Sequence, residues 1–329
     1  MTYTRSYNIL NASQFSKQDV EILVNLTDKI RKYNKTKEGL QFLSQLLSHK
    51  RAMLYFTQPS TRTFLSFQSA CHILGIKTSE IRDPETSSER KGESIEDSLR
   101  TFSSYVDIII MRSPVPNLCE KMASLLSETQ RPVPLINAGS GPDEHPTQAL
   151  LDLYTLKRGF SPQEDFNGKQ ICLVGDLKRG RTIRSLAKLL ALYKGVHLIF
   201  CSPHEFSIKD DLRSFLKQIP DISFEETTKF MEPASEADAI YMTRIQDEYD
   251  CIETSSSYDT KQFSLTKENL SSLKKHCMIL HPMPRREEIH PSVDQDKRAR
   301  YWSQERNGMW IRVALLAQAL KADKTILSL

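Results

Sequence analysis

The sequence is organised around residues 55–63, YFTQPSTRT, and the helix that they introduce. The preceding run, Arg51–Phe56, predicts a short buried strand, and apolar residues then recur at helical spacing: Phe64, Phe67, Cys71 and Leu74. Ser60 is a favourable N-cap residue, which places the next three residues in the first helical turn. The backbone N–H groups and dipole of that turn, with two hydroxyls and a guanidinium, predict a phosphate site. The alternative is an ordinary capped helix whose arginine lies in solvent.

Length and composition indicate a globular chain with two domains. The chain has 329 residues, 39% hydrophobic and 26% charged, and roughly 150 residues per domain is typical. A net charge of +4 is mild, so neither nucleic acid nor a membrane surface is indicated as a partner. Six cysteines without a CxxC pair predict buried thiols rather than a metal site. The first ten residues lack a signal-peptide pattern, and no apolar run is long enough for a bilayer. We therefore expect a cytoplasmic protein without a metal or cofactor.

Predicted strands alternate with predicted helices in both halves of the chain. The strands are expected at residues 51–56, 108–111, 133–137, 171–175, 196–201, 239–242 and 278–281. This alternation predicts an α/β fold with two domains, each a parallel β-sheet flanked by helices. Residues 75–90 predict an exposed loop, residues 267–273 a helix, and residues 308–320 a closing amphipathic helix.

Polar residues recur where the predicted strands end. They are Ser60–Thr63, Arg112, His145 with Gln148, Arg181, Arg244 and residues 282–285. In parallel α/β folds, ligands bind at the carboxyl ends of the strands. Arginines, hydroxyls and a histidine suit the binding of anions and the stabilisation of developing negative charge, with little need for a protein nucleophile.

Individual residues of this set also have simpler interpretations. His145 precedes a helix that Pro146 begins, where the helix dipole favours a neutral imidazole that donates to a carbonyl. A capping histidine with a structural bond is the alternative. Arg112 could equally form a surface ion pair. The glycines of residues 175–181, GDLKRGR, do not have the spacing of a dinucleotide site.

Several motifs, in this order, resemble the carbamoyltransferase family. They are residues 60–63 (STRT), Arg112, residues 145–148 (HPTQ) and residues 281–285 (HPMPR). Residues 90–94 (RKGES), 175–182 (GDLKRGRT) and 241–246 (YMTRIQ) are similar to its aspartate-specific members. The resemblance covers nearly the whole chain. It implies carbamoyl transfer from carbamoyl phosphate to the amino group of L-aspartate, giving N-carbamoyl-L-aspartate and phosphate, an early step of pyrimidine biosynthesis.

The resemblance also implies a role for each residue. Carbamoyl phosphate would bind to residues of a first domain, 1–145 with 305–329, and aspartate to residues of a second, 146–304. The carbamoyl phosphate set is Ser60, Thr61, Arg62, Thr63, Arg112, His145, Gln148, Met283 and Pro284, the last three holding the amino group. The aspartate set is Lys91, Arg181, Arg244 and Gln246. The catalytic set is Arg62, Thr63, Lys91, Arg112 and His145, with Lys91 donated by a neighbouring subunit of a homotrimer.

Two other functions remain open at this point. Ornithine carbamoyltransferase would share the phosphate half, although its pattern has Cys-Leu-Pro at residues 282–284, and arginines at 181 and 244 favour a dicarboxylate. A non-catalytic anion-binding paralogue would be expected to lack Lys91, His145 or Arg244. A separate regulatory chain or another pathway enzyme is a further partner that the sequence leaves open.

The chain departs from the family at two positions that belong together. Gln58 and Tyr249 stand where the family usually carries a glutamate and an arginine. In the family, those charges help to link the two domains in the closed state. The neutral pair therefore puts that linkage in doubt, although not the chemistry.

Overall fold

The computed structural model describes residues 8–83, 91–141, 144–160, 165–245 and 260–328. The chain divides into two compact units, Met1–Thr147 with Gly308–Leu329 (unit 1) and Gln148–Asn307 (unit 2). The functional domain limits given above, 1–145 with 305–329 and 146–304, stay a prediction. No helix in the described ranges is long and apolar enough to cross a membrane.

The described strands and helices alternate along the chain. The strands are β1 Arg51–Phe56, β2 Lys77–Ile81, β3 Ile108–Arg112, β4 Leu135–Asn137, β5 Gln170–Val174, β6 Val196–Cys201, β7 Ile222–Thr227, β8 Ala239–Met242 and β9 Met278–Leu280. The helices are α1 Lys17–Tyr33, α2 Lys37–Leu46, α3 Thr61–Ile73, α4 Ile95–Tyr105, α5 Leu118–Ser127, α6 Pro146–Gly159, α7 Arg181–Leu190, α8 Asp210–Lys217, α9 Met231–Glu236, α10 Tyr301–Ala319 and α11 Asp323–Ser328.

Each unit contains one parallel sheet, which confirms the predicted fold class. Unit 1 has the strand order β2-β1-β3-β4, and unit 2 has the order β7-β6-β5-β8-β9. All strand pairs in both sheets are parallel. The central strands are apolar and buried, because helices cover parallel sheets on both faces. The apolar face predicted for α3 is buried at Phe64, Phe67 and Cys71.

Two edge strands correct the sequence-based predictions. Residues 75–90 were expected to form a loop, but Lys77–Ile81 pairs with β1 as strand β2. Strand β7 was also not predicted, and it pairs with β6. Both strands lie at a sheet edge and are largely exposed. Their side chains therefore carry no continuous apolar run, and pairing of the main chain with the neighbouring strand identifies them.

Other element limits also differ from the predictions. Helix α10 begins at Tyr301, not Gly308, because its first turns bury the polar residues Gln304 and Asn307, which a search for apolar periodicity passes over. The helix expected at residues 267–273 is only a short 3₁₀ turn, Asn269–Ser272. Helices α9 and α11 were not predicted, and each has only six residues.

Candidate active site

The loop after β1 leads into the amino end of α3. Ser60 occupies the N-cap position with extended backbone, and its side chain makes no capping hydrogen bond. Thr61, Arg62 and Thr63 form the first turn, which contains no acidic residue. Arg62 is exposed and Thr63 is buried. A cation in a first turn opposes the helix dipole and costs about 0.3–1 kcal/mol. The same arrangement favours an anion, as the sequence predicts.

Arg112 and His145 meet at a glycine after β4. Arg112 ends β3, in register with Phe56 of β1, and its Nη1 donates to the carbonyl oxygen of Ala138 at 3.1 Å. Gly139 has φ +103°, and a Cβ atom added there would lie 2.6 Å from Arg112 Nη1 and 3.2 Å from His145 Nε2. Both side chains are buried. The structure thus brings the two predicted polarising residues together at the carboxyl edge of the first sheet.

The chain around this pair is held by hydrogen bonds. The side chain of Asn137, the last residue of β4, accepts from the amide of Gly139 at 2.8 Å and donates to the carbonyl of Leu10 at 2.8 Å. The Thr57 amide donates to the Arg112 carbonyl at 2.9 Å, which ties the loop after β1 to the end of β3. These bonds fix the backbone from which the polar side chains extend.

Lys91 is the predicted site residue of unit 1 that the structure does not bring to this group. It is exposed, and within the described ranges it makes no hydrogen bond or ion pair. Ser60–Thr63, Arg112 and His145, by contrast, all lie at the ends of β1, β3 and β4, which are adjacent in the sheet.

Unit 2 has a matching set of loops at the carboxyl ends of β5, β8 and β9, which are neighbours in its sheet. A Cβ atom added at Gly175, after β5, would collide with the backbone of Thr243, after β8. The loops that lead to Arg181 and carry Arg244 therefore run against each other. Both arginines are half-buried. Gln246 and Tyr249 lie outside the described residues.

Arg181 is the first residue of α7. Gly180 supplies no side-chain cap, and the first turn of α7 contains no acidic residue. By contrast, α1, α2, α4, α5 and α8 all have one there. The amino end of α7 thus repeats the anion-favouring design of α3.

The loop after β9 offers acceptors rather than donors. The Met283 amide donates to Nδ1 of His281 at 2.8 Å, and His281 Nε2 lies 2.7 Å from Glu288 Oε1. Nδ1 is therefore the acceptor of this imidazole, and Nε2 carries the proton. Pro282 and Pro284 have no N–H group. Within residues 282–284, the polar backbone groups that remain for a ligand are therefore carbonyl oxygens.

Arg285 serves a structural purpose, although it belongs to the same motif. Its guanidinium forms a two-bond ion pair with Asp294 and lies over the rings of Tyr301 and Trp302 at 5.4 and 5.6 Å. The hydrogen bonds with Asp294 and Tyr301 also raise its pKa. Of the polar cluster predicted at residues 282–285, only residues 282–284 therefore remain candidates for ligand contact.

Sequence reasoning missed several buried polar residues behind these loops. Asp152 on α6 is fully buried, Tyr241, Gln304 and His281 are also buried, and Glu288 beside His281 is partly buried. Burial raises the pKa of Asp152 to about 7. The one available signal was a carboxylate at an apolar position of a helix, in the run LLDLY at residues 150–154.

Comparison with known proteins assigns the class. The chain belongs to the aspartate/ornithine carbamoyltransferase family. The family's carbamoyl-phosphate-binding domain matches residues 7–158, and its aspartate/ornithine-binding domain matches residues 167–319.

Within that family the relatives are aspartate-specific. The chain is 40% identical over 324 residues to the aspartate carbamoyltransferase catalytic subunit of Clostridium novyi, covering 96% of this chain and 98% of the relative. It is 39% identical over 317 residues to the chloroplastic aspartate carbamoyltransferase of Arabidopsis thaliana, covering 94% and 76%.

Solved structures agree with this assignment. Trypanosoma cruzi aspartate transcarbamoylase in complex with N-(phosphonacetyl)-L-aspartic acid has a TM-score of 0.85 at 32% identity, with 94% of each chain covered. The catalytic subunit of M. jannaschii aspartate transcarbamoylase has a TM-score of 0.84 at 32% identity, with 97% of this chain and 99% of that chain covered. The family resemblance inferred from the motifs is thus confirmed.

Proposed function

We propose that this chain transfers the carbamoyl group of carbamoyl phosphate to the amino group of L-aspartate, giving N-carbamoyl-L-aspartate and phosphate for pyrimidine biosynthesis. The observation that carries the proposal is that two adjoining loops, after β5 and β8, lead to Arg181 at the start of α7 and carry Arg244. Two guanidinium groups suit a dicarboxylate, because each can bind one carboxylate through two parallel hydrogen bonds. Ornithine has a single carboxylate and a second ammonium group, which this pair would repel.

The reaction needs electrostatic stabilisation more than a protein nucleophile. The aspartate nitrogen attacks the carbamoyl carbon, the C–O bond to phosphate breaks, and phosphate leaves with that electron pair and takes up the proton that the nitrogen loses. Negative charge develops first on the carbamoyl oxygen, where Thr63, Arg112 and His145 would donate hydrogen bonds. It then passes to the leaving phosphate, which would be held by Ser60, Thr61, Arg62 and Thr63 at the amino end of α3.

The amino group of carbamoyl phosphate would meet acceptors. Gln148 and the backbone carbonyls of Met283 and Pro284 would hold it, and residues 282–284 have no backbone N–H group left for a ligand. Aspartate would be bound by Arg181, Arg244, Gln246 and Lys91. Separate residues would thus bind and orient each substrate, which lowers the entropic part of the activation barrier.

A direct assay tests the proposed reaction. The purified chain is supplied with radiolabelled carbamoyl phosphate and either L-aspartate or L-ornithine, and the carbamoylated product is quantified. We expect N-carbamoyl-L-aspartate and little citrulline. Citrulline as the main product would favour the ornithine alternative, and the absence of either product in a folded protein would favour a non-catalytic paralogue.

The assembly is proposed to be a cytoplasmic homotrimer with shared sites. The exposure of Lys91 supports this, because its side chain is available to a neighbouring subunit. In a cyclic trimer, each chain would supply His145 to its own site and Lys91 to the next. Inactive Lys91→Ala and His145→Ala chains, refolded together in equal amounts, should then recover about a quarter of all sites, by symmetry. Verified mixed trimers that show no more activity than the separate controls would contradict the shared site.

A further inference from the structure

Asp152 accepts hydrogen bonds from three different elements of unit 2. Its Oδ1 accepts from Gln148 Nε2 at 2.9 Å and from Gln304 Nε2 at 2.7 Å. Its Oδ2 accepts from the Tyr241 hydroxyl at 2.6 Å. The carboxyl group is fully buried on α6, and these three donors lower its pKa against the larger effect of burial. A buried carboxylate of this kind costs free energy, so its retention calls for an explanation.

Each of the three donors leads to a predicted ligand contact. Gln148 is itself proposed to hold the carbamoyl amino group. Gln304 Oε1 accepts from the His281 amide at 2.9 Å, and His281 in turn accepts from the Met283 amide. The Tyr241 hydroxyl is hydrogen-bonded to Thr182, which follows Arg181. The Asp152 carboxyl group is thus linked by hydrogen bonds to residues at or near the ends of α6, β8 and β9.

We propose that Asp152 is a positioning residue that fixes the direction of the site's amide groups, so that the carbamoyl amino group meets oxygens only. The inference rests on the proposed function. In the ionised carboxylate Oδ1 can only accept, so the NH₂ group of Gln148 has to face Asp152, and the amide oxygen Oε1 is left for a donor. The same constraint acts on Gln304, whose oxygen then holds the His281 loop in the arrangement that consumes the Met283 N–H.

Loss of the acceptor would have a specific consequence. Without Oδ1, the Gln148 amide is free to turn over and present NH₂ to the substrate's NH₂, which leaves both donors unsatisfied. A buried polar group left unsatisfied typically weakens an interaction by about 10- to 100-fold. An acyl phosphate with a methyl group in place of NH₂ has no such donor and is indifferent to the direction of the amide. Acetyl phosphate is therefore the matched probe.

The test measures selectivity rather than activity alone. For each variant, kcat/KM for carbamoyl phosphate is compared with the inhibition constant of acetyl phosphate as its competitor. Asp152→Leu should lower the preference for carbamoyl phosphate by about 10-fold or more, because acetyl phosphate binding should change much less. Asp152→Asn keeps one carbonyl acceptor and should stay within about threefold of the parent chain. A merely structural role would weaken both ligands together.

The same pair of helices offers a matched control. Thr155, one turn after Asp152 on α6, accepts from Asn307 Nδ2 on α10 at 3.0 Å and donates to the Leu151 carbonyl at 2.7 Å. Thr155→Val removes a buried hydrogen bond between α6 and α10 without touching Asp152, and the preference for carbamoyl phosphate should be unchanged.

A second variant keeps the proposal testable if Asp152→Leu does not fold. Gln304→Leu cuts the link to His281 and leaves the other two bonds of Asp152, and we expect a loss of preference of about fivefold. Unchanged preference in every folded variant of Asp152 and Gln304 would overturn the inference. An unmodified chain that carbamoylates neither aspartate nor ornithine would instead overturn the proposed function.

Discussion

Gly139→Ala should disable the site through a steric effect on two side chains at once. The added Cβ atom would lie 2.6 Å from Arg112 Nη1, and Cβ atoms essentially never approach within 3.0 Å, so the guanidinium has to retreat by at least about 0.4 Å. An exposed arginine would do this at little cost. Arg112, however, is buried and bonded to the Ala138 carbonyl, and His145 lies on the other side of the glycine.

The size of the effect follows from that displacement. A misplacement of about 1 Å in a catalytic group can cost about 10²-fold in rate, so we expect kcat to fall by about 10- to 100-fold. The φ of +103° imposes backbone strain on alanine in the folded state, which should lower the free energy of unfolding by about 1–3 kcal/mol. Steady-state kinetics and thermal unfolding measure the two effects separately.

Gly168→Ala is the matched control for backbone strain. Gly168 also has positive φ, +72°, but no atom lies within 4 Å of an added Cβ. This variant should lose some stability and keep kcat within about twofold, because strain away from the site does not displace a catalytic group. A folded Gly139→Ala variant with kcat as high as that of the control would refute the role given to the Arg112–His145 pair.

Three further results are expected. Arg112→Ala should lower kcat by about 10²–10³, as the loss of one oxyanion donor does, and steady-state kinetics on a variant of unchanged melting temperature checks this. Arg181→Ala should raise KM for aspartate far more than KM for carbamoyl phosphate, and equal effects on both would contradict its assignment. The pKa of Asp152 is raised to about 7 from a usual 3.8, so its stabilising contribution is complete below about pH 4 and lost as the pH rises through 7. Denaturant unfolding from pH 4 to 8 should show this slope in the parent chain and its loss in Asp152→Asn.

The sequence predicted those parts of the fold that depend on local pattern. The buried strands β1, β3, β6 and β8 appear as apolar runs, because parallel strands covered on both faces are apolar throughout. The edge strands β2 and β7 do not, because they are largely exposed and therefore contain polar residues among the apolar ones. The first turns of α10 were not predicted because they also lack a continuous apolar pattern. Gln304 and Asn307 are buried through bonds to α6, about 150 residues earlier in the chain.

The site was predictable to the extent that its residues follow strand ends. Arg112 and His145 could be named because the carboxyl edge of a parallel sheet collects such side chains. Asp152 could not, since nothing near residue 152 records that Tyr241 and Gln304 converge on it. The same reasoning included Arg285 among the polar residues at strand ends. Its guanidinium instead forms an ion pair with Asp294, a residue that its local sequence does not indicate as its partner.

Residues 282–284, after β9, contain two prolines and one amide, and that amide already donates to His281. If this segment holds the carbamoyl amino group as proposed, the ligand meets carbonyl lone pairs there and no backbone N–H group. An acyl phosphate that carries a charged oxygen in place of the amino group, as a carboxyl phosphate does, would set lone pair against lone pair and be repelled. Replacement of either proline would restore an N–H group and with it tolerance for such an anion. Discrimination against the oxygen analogue would thus depend on the backbone of residues 282–284, and substitution of side chains elsewhere would not easily abolish it.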